Sequence, residues 1–125
     1  MGNLSDITKE LNNEDNAIVY GNFLDETYLK FKRNELDIST WYTEPFFNSD
    51  LEFKHQAYFA AVIHKLSNDL GFETPKWVLD GKYVLDKPYF AVEAKGMLKA
   101  LLLFESPREF RTKNIYVSAN AMTRV

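Results

Sequence analysis

The chain has 125 residues, 46% of them hydrophobic and 26% charged, enough for one globular domain around a single core. With no cysteine, it can have no disulfide, thiolate metal site or cysteine nucleophile, and this fits a reducing cytoplasm, the expected location. A net charge of −3 argues against a protein that coats nucleic acid, and no apolar run reaches the ~18 residues needed to cross a bilayer.

The charge is unevenly spread. Residues 1–30 hold six acids against Lys9 and Lys30, net −4, and residues 95–125 hold six bases against Glu105 and Glu109, net +4. Either the two ends lie near each other in one fold, or the basic end meets an acidic partner or a phosphate.

Taken in order, Leu4, Ile7 and Leu11 fall at i, i+3 and i+7 and suit a short helix or a loose arm. This first part, residues 1–40, packs on the core or on a second copy. Ile18, Val19, Phe23, Tyr28 and Phe31 mark an amphipathic helix from Asp15 to about Arg33. Residues 34–40 connect it to Trp41-Tyr42-Thr43-Glu44-Pro45-Phe46-Phe47, an irregular ring-rich segment, since the residue before a proline is held extended. Asn48, Ser49 and Asp50 are N-cap candidates for a helix from about Leu51 to Leu70. Its buried stripe is Phe59, Val62, Ile63, Leu66 and Leu70, and Gly71 stands at the C-cap.

Residues 73–90 change character. Asp80-Gly81 between two short apolar runs signals a hairpin, yet Pro75 and Pro88 at the ends equally suit an ordered loop across the helices. Ala94, Met97, Leu98, Leu101 and Leu102 then make an apolar stripe on a helix over residues 91–105, expected to be central. Ser106-Pro107-Arg108-Glu109 predicts that a short helix starts at Pro107, with Ser106 as N-cap and Glu109 reaching back to the Ser106 amide. Residues 114–117 alternate like a strand, and Ser118 can cap a last turn through Met122. The expected fold is a mostly α, single-domain helical bundle with a short irregular or hairpin segment around 73–90.

No catalytic constellation stands out. The sequence has no G-x-S-x-G elbow, P-loop, G-x-G-x-x-G or H-E-x-x-H motif, and no cofactor is implied. His55 and His64 are nine residues apart and point to opposite faces of one helix, so they share no metal. Arg108, Arg111, Lys113 and Asn114 are the candidate partner- or anion-binding group: two arginines one turn apart grip a carboxylate or phosphate well, although both also suit a helix C-terminus. Trp41, Tyr42, Trp77 and Tyr83 are the candidate aromatic pocket.

The run Glu105-Ser106-Pro107-Arg108-Glu109-Phe110-Arg111-Thr112-Lys113-Asn114-Ile115-Tyr116-Val117 resembles the C-terminal signature of an uncharacterised family of small bacterial proteins, E-S-P-x-x-F-R-x-[RK]-N-[IF]-[FY]-V. Gly71 to Trp77 and Lys87 to Phe90 resemble that family's G-x-x-x-P-x-W and P-[WY]-F elements, so the likeness spans residues 50–125. Some members sit beside toxin-like or nucleotidyltransferase-like genes, which implies an antitoxin-like, partner-binding role by association. The leading expectation is a non-enzymatic protein-interaction module that binds a protein partner or itself, with no membrane. The alternatives are nucleic-acid binding through Arg108, Arg111, Lys113 and Arg124, or small-molecule binding in the aromatic pocket.

Overall fold

The computed structural model describes residues 4–91 and 97–118. The protein is mostly α, a single small domain. Its helices are α1 (Leu4–Thr8), α2 (Ala17–Lys32), α3 (Phe53–Leu70), α4 (Met97–Glu105) and α5 (Arg108–Arg111). Three-ten turns form at Ser39–Tyr42, Lys76–Leu79 and Gly81–Tyr83, and two short strands, β1 (Tyr89–Phe90) and β2 (Ile115–Tyr116), pair in parallel.

The central element is α3. Ala57, Phe59, Ala60, Ala61, Val62, Ile63 and Leu66 are all buried on it, so it is covered nearly all round, as only a core helix can be. The glycine at its end does the expected work. Gly71 sits at φ +80, its amide reaches the Asn68 carbonyl, and the Phe72 amide reaches the Ser67 carbonyl, which closes the last turn with a left-handed residue.

The start of α3 differs from expectation. None of Asn48, Ser49 and Asp50 caps it. Asn13, from the N-terminal part, accepts from the Glu52 amide at 2.7 Å and donates to the Asp50 carbonyl at 2.8 Å. Nearby, Ser5 accepts from the Phe46 amide, Thr8 donates to the Phe46 carbonyl, and Asn48 donates to the Lys9 carbonyl. With Leu4 and Leu11 buried in the core cluster, α1 and the turn after it pack on their own chain.

Over residues 73–90 no hairpin forms. Trp77, Val78 and Tyr83 are buried in turn, and a flat two-stranded ribbon would hold Trp77 and Val78 on opposite faces. Two three-ten turns instead lower all three side chains onto α3, and Asp80 accepts from the Lys82 amide to hold the second turn. β1 takes its partner from the far end of the chain: the Tyr89 amide bonds the Asn114 carbonyl and the Ala91 amide the Tyr116 carbonyl, both at 3.0 Å. Asn114 makes the bend that permits this at φ +66, a left-handed conformation that asparagine tolerates better than most residues.

The largest departure concerns α4, which is peripheral rather than central. Leu102 is buried, but Met97 is 79% exposed, Leu101 51%, Leu103 44% and Phe104 84%. Residues 92–96 of the expected helix, and the turn through Met122, lie outside the described residues.

The corner between α4 and α5 also has a different construction. Pro107, not Ser106, occupies the N-cap position of α5, and the Ser106 hydroxyl turns inward. It lies 2.5 Å from the Leu102 carbonyl and 2.8 Å from that of Val117, and accepts from the Val117 amide at 2.8 Å. Glu109, in turn, accepts from Asn68 of α3 at 2.7 Å rather than reaching back to the Ser106 amide. Ser106 therefore ties the end of α4 to the segment after β2. Ser106→Ala strands a buried amide, and we expect a loss of about 1–3 kcal/mol in urea unfolding, with faster hydrogen exchange at the Val117 amide. An unchanged midpoint would show that the Val117 amide has found another partner.

Candidate functional site

The four-residue polar group near the C-terminus divides into two kinds of residue. Arg108 and Arg111 are exposed on α5, while Phe110 between them is fully buried against Tyr58, ring centroids 5.2 Å apart. Lys113 is turned away from the surface. It is 3% exposed, and its ammonium donates to the Val78 carbonyl at 2.6 Å. Burial holds its pKa below the ordinary value. Asn114 donates to the Leu85 carbonyl at 3.1 Å and fixes the crossing of residues 85–90. Lys113 and Asn114 are thus braces for the segment 78–89, and the accessible cationic patch is the arginine pair. Arg124 lies outside the described residues.

The proposed aromatic pocket is filled space. Trp41, Trp77 and Tyr83 are buried, and the Trp77 indole N–H donates to the Trp41 carbonyl at 2.7 Å. The Trp77 and Tyr83 rings meet edge to face at 5.8 Å. Tyr42 lies at the surface with its hydroxyl on the Glu73 carbonyl. The Tyr83 hydroxyl donates to Glu44, which also pairs with Lys82 at 2.7 Å. Burial pushes the Glu44 carboxyl up, but these hydrogen bonds outweigh it and leave the pKa lowered. Trp41, Trp77 and Tyr83 thus spend their rings on packing within the core, and Tyr42 stands apart from them at the surface.

Two other features of the surface are an exposed apolar stripe and a cavity. The first is the outer face of α4, where Met97, Leu101 and Phe104 at i, i+4 and i+7 form one apolar stripe facing solvent. Only Ser106 and Pro107 separate Glu105 from the start of α5, so the exposed arginines follow the stripe directly along the chain. Such a stripe at helical spacing was legible, but its direction was not, because the same pattern describes a core helix and a docking helix.

The second is a cavity of about 390 Å³ between the start of α2, the first turns of α3 and β1. Tyr20, His55, Tyr58 and Tyr89 line it, with Glu14 and Asp15 exposed beside them. The Tyr20 and Tyr58 rings are 5.2 Å apart, and His55 meets Tyr89 edge to face at 6.1 Å. The Tyr20 hydroxyl and His55 Nε2 are shut off from solvent and have no hydrogen-bond partner among the described residues. Burial, then the neighbouring Tyr58 and Tyr89, raises the Tyr20 pKa well above its ordinary value, and burial pushes Tyr58 up to about 12. Burial and Lys54 lower that of His55, against weaker opposition from Glu52 and a hydrogen bond with the Asn13 backbone. Near neutral pH the cavity wall is therefore uncharged at Tyr20, Tyr58 and His55. The sequence shows His55 and Tyr58 one turn apart, but nothing in it brings Tyr20 and Tyr89 to the same place.

No family model, no curated protein and no solved structure matches this chain. Among the described residues no three His, Asp or Glu side chains gather to hold a metal, and no helix is long and apolar enough to cross a membrane.

Proposed function

We propose that the chain is a non-enzymatic protein-interaction module whose docking surface is the outer face of α4. The observation that carries this is the solvent-facing stripe of Met97, Leu101 and Phe104. Three large apolar side chains on one face of a nine-residue helix give up their burial in the lone chain, and a partner that covers them recovers it at roughly 25 cal/mol per Å². The partner fits as an apolar groove or helix face flanked by carboxylates, because Arg108 and Arg111 follow the stripe and are accessible.

The antitoxin-like form of this reading takes the partner to be a toxin encoded by a neighbouring gene, and its support is the motif resemblance around Ser106-Pro107. Nucleic-acid binding has less support, since Lys113 is committed to the Val78 carbonyl and two arginines make a small patch.

Leu101→Glu and Phe104→Glu test the proposal. Both positions are exposed, so melting should stay within a few degrees of the wild type. The tagged wild-type chain co-expressed with the neighbouring gene product should co-purify with it, and either variant should lose it. Light scattering of the chain alone reports self-association on the same face. A complex that survives both substitutions, or a chain that stays monomeric and retains no partner, would overturn the assignment.

A further inference from the structure

Between α1, α2 and the turn at Trp41 lies a groove that complements the docking face of α4. Its floor is apolar, with Ile7, Phe23, Leu36 and Trp41 on the lining. Its rim is acidic, since Asp6, Glu10, Glu26 and Asp37 line it together with one ammonium, that of Lys30. Lys9 pairs with Asp6 at 3.5 Å and Lys30 with Glu26 at 2.7 Å. Glu10 and Asp37 are exposed and form no ion pair among the described residues. The volume of the groove is about 210 Å³. Small-molecule sites run from about 300 Å³ upward, whereas a space of this size suits one anchoring side chain of a protein partner.

The same chain carries the matching half. Phe104, the one aromatic side chain of α4, is 84% exposed. Arg108 and Arg111 follow it on α5, are exposed, and form no ion pair among the described residues. The sequence divides its charge in the same way, net −4 over residues 1–30 and net +4 over residues 95–125. An apolar anchor followed by two cations thus answers an apolar floor edged by carboxylates. Neither half is satisfied within one copy, because the Phe104 ring remains in solvent.

We infer that the groove receives α4 and α5 of a second copy of this chain, with Phe104 entering it and the two arginines meeting Glu10 and Asp37. The inference rests on α4 being the docking face and names what that face meets. The two surfaces in contact differ, so the contact is heterologous. Every pair leaves one stripe and one groove open, and association continues head to tail unless a ring closes.

Sedimentation velocity of the full chain from about 10 μM to about 1 mM tests it. The weight-average mass should rise with concentration and pass that of a dimer, and association should weaken about tenfold or more between about 50 mM and about 500 mM salt. Phe104→Glu breaks the stripe, and Glu10→Lys with Asp37→Asn breaks the groove. The asparagine keeps an acceptor for the Ser39 amide, which lies 2.9 Å from Asp37. Each variant should be monomeric by itself. Mixed, the two should form a complex of one copy of each, because the groove of the first and the stripe of the second are intact. That pairing also shows that both variants are folded. A wild type that stays monomeric to ~1 mM, a groove variant that associates as well as the wild type, or a mixture that remains two monomers would overturn the inference. The groove variant should still co-purify with the neighbouring gene product. A monomeric wild type that retains that product removes the self-association and leaves the docking face standing.

Discussion

Phe59→Ala should destabilise the protein by about 3–5 kcal/mol, the range for a fully buried phenylalanine truncated in a packed core. Phe59 is 0% exposed at the middle of α3, and four rings surround it. Its centroid is 6.4 Å from Tyr20, 6.2 Å from Phe23, 6.1 Å from Phe47 and 6.5 Å from Trp77. Those rings come from α2, from the irregular segment before α3 and from the turn after it. One truncation therefore loosens every layer at once, and neighbours held by their own backbones cannot collapse into the gap. A small domain has roughly 5–15 kcal/mol in total, so the variant should melt at least about 10 °C lower and populate unfolded chain at ambient temperature. Urea unfolding followed by circular dichroism and by the fluorescence of Trp41 and Trp77 measures this. Phe53→Ala is the control. Phe53 stacks on Tyr83 at 5.9 Å but is 41% exposed, and should lose only about 1 kcal/mol. A Phe59 effect as small as that of Phe53 would place the centre of the core elsewhere.

Lys113→Ala should cost about 2–4 kcal/mol. Truncation leaves a void where a long aliphatic stem was packed and strands the Val78 carbonyl, and relief from burying an ammonium offsets part of this. Lys113→Met keeps the stem and should lie within about 1 kcal/mol of the wild type. The pH dependence separates the charge from the packing. Burial lowers the Lys113 pKa below its ordinary 10.5, so between the folded value and 10.5 the unfolded chain binds the extra proton. Stability contributed by this group accordingly rises as pH climbs through that window, and Lys113→Met should lose that rise. The tyrosines act with the opposite sign. Tyr20, Tyr58, Tyr83 and Tyr89 are held above their ordinary 10.0, so above pH 10 the unfolded chain sheds protons that the fold retains, and stability falls in both proteins. The difference between wild type and Lys113→Met, measured from pH 8 to about pH 10, isolates the lysine. A flat difference would mean that its ammonium is hydrated.

Burial lowers the pKa of both His55 and His64 below 6.5, so each favours the fold at neutral pH and opposes it as pH falls below 6.5.

The candidate sites were legible only in part. Arg108 and Arg111 could be placed together on the surface, because they lie one turn apart on the short helix that starts after Pro107 and flank its apolar Phe110. Lys113, two residues on, carries the same charge and met the same criteria, yet it is a buried brace, since nothing local reveals that the Val78 carbonyl waits beneath it. The abundance of rings suggests an aromatic pocket at Trp41, Trp77 and Tyr83, yet each of the three finds a ring partner within the core. The cavity residues were missed because Tyr20, His55 and Tyr89 are separated by more than thirty positions and meet only after α2 and β1 dock on α3.

By itself the sequence determined the local elements: the mostly helical class, the extent of α2 and α3, the left-handed stop at Gly71 and the break at Pro107. Each follows from periodicity, φ restriction or a missing donor within a few residues. Only the tertiary structure decided which apolar stripe is core and which is surface, what the Ser106 hydroxyl holds, and that β1 pairs with β2 rather than folding into a hairpin. Those outcomes depend on partners distant in the chain. Burial of α3 on nearly every side leaves little core for α4 to cover, so a stripe as apolar as any in the protein faces outward.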